Sequence, residues 1–124
     1  MPEDTYPTSA NLESLLNRYK RLKSRYKTIL DLAGKIMFEL ENSGSERLIK
    51  ALVEEKIKIF EKIQLETDEL SLHPIPQNEI INTQVIREAK DIIADIKIML
   101  GELYEREETI SAWVKKRGIK FEAS

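Results

Sequence analysis

The stretch NEIINTQVIREAKDIIADIKIMLGELYEREETISAWVKKR, residues 78–117, contains no proline and a single glycine, Gly101. Its apolar residues recur at Val85, Ala89, Ile92, Ile96, Met99, Leu103, Ile110 and Trp113. Steps of three and four are the signature of a helix that buries one stripe against other helices. Ile86, Ile93, Leu100 and Val114 sit one position along and widen that stripe. As one helix, about 40 residues at ~1.5 Å each would span about 60 Å. The rest of the chain is expected to be organised around it. Asn78 is a candidate N-cap and Gly118 a stop, and Lys115, Lys116 and Arg117 suit the negative end of the helix dipole.

Immediately upstream, Pro74 and Pro76 break any helix over residues 71–77 and mark the one linker. A second helix is predicted before it, over 45–70, with Ile49, Leu52, Ile59, Ile63 and Leu70 as seam and Val53 and Phe60 alongside. Ser43 and Glu46 have capping-box spacing at its start. A first helix is predicted over 9–41, its seam running Leu12, Leu15, Tyr19, Leu22, Tyr26, Ile29, Ala33, Ile36 and Leu40, with Asn42 and Gly44 available to turn the chain. Three long helices with short connections make an all-α, antiparallel up-down-up bundle with coiled-coil-like packing, 9–41, 45–70 and 78–117. Residues 1–8 are expected to be a flexible tail, 9–118 one domain, and 119–124 a second tail. Charge supports the order of the helices. Arg18, Lys20, Arg21, Lys23, Arg25 and Lys27 would lie beside Glu61, Glu66, Asp68 and Glu69 of an antiparallel neighbour.

The composition fits solvent-washed helices: 34% charged, 41% hydrophobic, with 4 glycines and 4 prolines in 124 residues. The absence of cysteine removes disulfides and thiolate metal sites and is compatible with a reducing compartment. The acidic start lacks the apolar core of a signal peptide, and no stretch has the length of a membrane span, so the cytoplasm is the expected setting without membrane insertion. A net charge of −2 argues against a general nucleic-acid binder. Tyr19 and Tyr26 interrupt the basic run 18–27 and could stack on bases, but they occupy seam positions and are expected to face the core.

No enzymatic chemistry is expected. The lone histidine, His73, falls in the proline linker, and no spacing offers three converging metal ligands or a nucleophile beside a base. Neither metal nor cofactor is called for. Lys56 stands in the seam of the second helix. Either its stem packs while the amine reaches water, or it sets register or meets a partner's carboxylate.

Unequal helix lengths point to leftover apolar surface. The third helix exceeds the second by roughly 14 residues, ~20 Å of helix. The overhang is expected over residues 104–117. The candidate partner-binding residues are Ile93, Leu100, Tyr104, Ile110, Trp113, Val114 and Phe121. Alternatively, the tail folds back over Trp113, or Gly101 breaks the helix and lets its end pack. Trp113→Ala is expected to cost partner binding more than folding. A three-helix bundle also leaves a groove that an amphipathic helix of another chain, or a second copy in a homodimer, could fill.

A first helix ending in Ile36-Met37-Phe38-Glu39-Leu40, a polar turn, and then Glu46-Arg47-Leu48-Ile49-Lys50-Ala51-Leu52-Val53-Glu54-Glu55-Lys56 leads toward a long, glutamate-rich final helix. Over about 100 residues this resembles the small bacterial flagellar export chaperones that escort hook-associated or filament-cap proteins. The Pro74-Ile75-Pro76 linker and the isoleucine-rich third helix have no counterpart in that pattern. The resemblance implies a non-enzymatic export chaperone. It would hold the amphipathic C-terminal segment of a flagellar or secreted subunit and prevent premature assembly. The alternative is a self-assembling coiled-coil structural or adaptor subunit.

Overall fold

The computed structural model describes residues 9–71 and 83–121, with side chains at 13–70 and 84–121. The described chain is three helices: α1, Ser9–Glu41; α2, Glu46–Ser71; and α3, Thr83–Arg117. The linker with His73, Pro74 and Pro76, the proposed Asn78 cap, the predicted tail at 1–8 and the last three residues of the tail predicted at 119–124 lie outside the described residues.

Interhelix pairs give the directions. Arg18 and Arg25 of α1 reach Glu69 and Glu66 of α2 at 2.6 and 2.8 Å, so these helices are antiparallel. Lys23 meets Asp95 at 2.7 Å and Arg106 donates to the Leu30 carbonyl at 2.6 Å, so α3 runs alongside α1 in the same sense. The fold is the all-α up-down-up bundle.

The organising element is α1, not the long C-terminal helix. α1 packs against both α2 and α3, and among the described residues no Cα of α2 comes within 8 Å of a Cα of α3. Ile29, Ala33 and Ile36 are fully buried in the C-terminal half of α1, with Leu40 and Ile49 closing the end near the turn. Sequence periodicity finds a buried stripe on each helix, but it cannot say which helix has two covered sides.

The turn between α1 and α2 differs from its expected form. Ser43, not Asn42 or Gly44, takes the left-handed conformation, with φ 57°. The Gly44 N–H donates to the Glu39 carbonyl at 2.6 Å, and both the backbone N–H and the side-chain amide of Asn42 donate to the Phe38 carbonyl. This is a Schellman closure with serine at the left-handed position. Ser45 is then the cap of α2, its hydroxyl accepting from the Leu48 N–H at 3.1 Å. The Ser43–Glu46 capping box is therefore not formed, because Ser43 is already used to end α1. A Cβ on Gly44 would lie 2.9 Å from the Glu39 carbonyl oxygen. Gly44→Ala is expected to destabilise the bundle by about 1–2 kcal/mol, read from the urea midpoint at constant m-value.

The predicted overhang does not exist. α3 has 35 residues and α1 has 33, and they run side by side, so α1 supplies the cover that α2 is too short to give. Arg117 reaches the Gly44 carbonyl at 3.0 Å, which puts the end of α3 level with the α1–α2 turn. α3 passes through Gly101 unbroken, since a Cβ there would meet nothing within 4 Å and the position is exposed. Gly118, φ 67°, ends it as expected. The Ile119 N–H then donates to the Val114 carbonyl at 3.1 Å and the Ile119 side chain enters the core, 7% exposed. Residue 119 thus belongs to the bundle and not to a tail.

Candidate functional site

Two edges of α3 have different fates, and the heptad spacing separates them. Arg106 and Trp113 share the edge that leans on α1 away from α2. Ile86, Ile93, Leu100, Glu107 and Val114 share the edge turned toward α2, because Glu107 there accepts from Lys56 of α2 at 2.5 Å. Lys56 is only 5% exposed. Its amine therefore meets a carboxylate of the same chain instead of water. The snorkelling expectation fails because α3 lies where water would have been.

This pair is a polar bridge between α2 and α3. Packed helices lie about 8–10 Å apart axis to axis. A lysine and a glutamate meeting end to end hold α2 and α3 farther apart than interdigitating leucines would. α2 and α3 thus flank an open seam over α1, a groove whose edges by heptad position carry Val53, Ile57 and Phe60 of α2 and Ile93, Leu100 and Tyr104 of α3. Ile57, Leu100 and Tyr104 are exposed, Tyr104 by 74%. Isolated exposed apolar residues are ordinary, but three flanking one open seam form a patch.

The candidate residues divide accordingly. Ile93, Leu100 and Tyr104 are brought together on the groove edge. Ile110 is buried in the core and is unavailable to a partner. Trp113 and Val114 are partly buried against the core, and the Lys116 amine lies 4.8 Å from the Trp113 ring centre. Phe121 is exposed beyond the helix end, far along α3 from Tyr104. Ile57 of α2 was not among the sequence candidates, and Val53 and Phe60 were read only as flanks of its buried seam. The signal was present: the α2 seam is interrupted at Lys56 and the flanking row of α3 at Glu107, two charges of opposite sign.

The basic run of α1 makes no stacking platform. Tyr19 and Tyr26 pack against the core, and burial raises both phenol pKa values above the ordinary one. Arg18, Lys23 and Arg25 are engaged with carboxylates of α2 and α3. Among the described residues no group of His, Cys, Asp or Glu could hold a metal ion, and no helix is long and apolar enough to cross a membrane. No protein-family model, no curated protein and no solved structure matches the chain.

Proposed function

We propose that this chain is a non-enzymatic helical binding protein that holds an amphipathic helix in the groove between α2 and α3. The observation that carries this is the separation of those two helices, which leaves Ile57, Leu100 and Tyr104 exposed along one seam of an otherwise closed core. An entering helix would lay apolar residues at i, i+3, i+4 and i+7 spacing along these walls. The resemblance to flagellar export chaperones supports a specific client: the disordered C-terminal segment of an exported subunit, held in the cytoplasm until export. Ordering such a segment offsets part of the contact energy, so binding is moderate and reversible.

The test is capture of partners by the purified protein, mass spectrometry, and titration of the C-terminal peptide of any secreted subunit recovered. Tyr104→Ala is expected to weaken that peptide by about tenfold or more, a hot-spot effect, while the melting temperature stays within a degree or two. A bound client whose affinity ignores both Tyr104→Ala and Leu100→Ala would refute the groove as its site.

A further inference from the structure

The two filled interfaces of the bundle share a rule that the open one breaks. At the α1–α2 interface Arg18 and Arg25 pair with Glu69 and Glu66, and at the α1–α3 interface Lys23 pairs with Asp95. Flanking charges there are matched across the seam. At the α2–α3 seam the outer row of α2 is acidic, with Glu54, Glu61 and Asp68 spaced seven apart. The outer row of α3 is basic over Lys90 and Lys97, again seven apart. All five are exposed, and Glu54, Glu61, Lys90 and Lys97 form no ion pair among the described residues. The rows have opposite signs and are staggered along the seam: with Lys56 level with Glu107, Glu54 and Glu61 flank the half nearer the end of α3, Lys97 lies near the level of Asp68, and Lys90 lies farther toward the start of α3.

We propose that the groove is charge-coded: its occupant is an amphipathic helix with Lys or Arg on the flank that meets α2 and Asp or Glu on the flank that meets α3. This rests on the helix-in-groove reading above and adds the chemistry of the partner's flanks. A helix inserted there completes for the open seam the matching that the other two interfaces already have. Rim charges contribute modestly to affinity but select among partners and orientations. A helix turned end for end exchanges its flanks, so a mixed-flank partner satisfies both rows in one direction only.

Three designed helical peptides with the same leucine stripe test this by fluorescence anisotropy on the full chain. One carries lysine on one flank and glutamate on the other, one glutamate on both, one lysine on both. The mixed peptide is expected to bind about three- to tenfold tighter than either uniform one at low salt, and the advantage should shrink at ~1 M salt. Lys97→Glu should weaken the mixed peptide and improve the all-lysine one, and Glu61→Lys should improve the all-glutamate one. Tyr104→Ala should weaken all three. Equal binding of the three peptides overturns the charge code and leaves the groove standing. No binding by any peptide removes groove and code together. A dimer seen by sedimentation that is lost in Tyr104→Ala and that no peptide dissociates also overturns the proposal, since the occupant is then a second copy.

Discussion

Ile36→Ala is expected to cost about 3–4 kcal/mol of folding stability, the largest effect of any single truncation in the bundle. Ile36 is fully buried in the C-terminal half of the central helix, so deleting its side chain loses transfer energy and leaves a cavity between packed neighbours. The loss is also shared: α1 is the one helix on which both others pack, so loosening it loosens both interfaces. For a domain of this size that would be much of the total stability. Leu65→Ala is the matched control, because Leu65 is exposed on α2 and its truncation should change stability by no more than about 0.5 kcal/mol. Urea unfolding followed by circular dichroism compares the two. A cost below about 1.5 kcal/mol for Ile36→Ala would mean that α1 is not the organising element.

The second large effect is an asymmetry between the partners of one ion pair. Glu107→Ala should destabilise by about 2–4 kcal/mol, because it leaves the buried Lys56 ammonium without its acceptor. Lys56→Met keeps the stem volume and removes the charge. The carboxylate left behind is the half-open member, with its side chain 38% exposed, and can be rehydrated. That substitution should therefore change stability by less than about 1 kcal/mol. Combining Lys56→Met with Glu107→Leu should restore stability to the parent level or above it, and should draw α2 and α3 together. Peptide binding would then fall although folding improved, which separates the groove's function from the bundle's stability. Equal costs for the two single substitutions would contradict the burial on which the asymmetry rests.

The helices themselves were legible because each carries its own periodic stripe, and α1 was legible to the residue at both ends. The α2 start shifted by one position, since Ser43 and Ser45 offer equivalent hydroxyls and only the closure of α1 decides between them. Arg18 and Arg25 opposite Glu66 and Glu69 were readable as complementary rows in antiparallel order. Ile93, Leu100 and Tyr104 emerged as candidates for a reason that failed, the overhang, but lie on the groove edge for another reason. Trp113 and Ile110 misled because large apolar residues near a chain end look unshielded until a neighbour of equal length is placed beside them.

By itself the sequence determined three amphipathic helices, their order and their directions. These follow from local spacing, where the side chains of one helix report on that helix alone. Only the tertiary structure decided that α1 is the shared core, that the stretch 104–117 is covered and that Ile119 returns to the core. It also decided that the opening lies between α2 and α3. Those are facts about pairs of helices, set by relative length and by one buried charge meeting another across the seam. α3, within the long stretch first read as the organising element, is thus one wall of the groove, and its partner wall is α2.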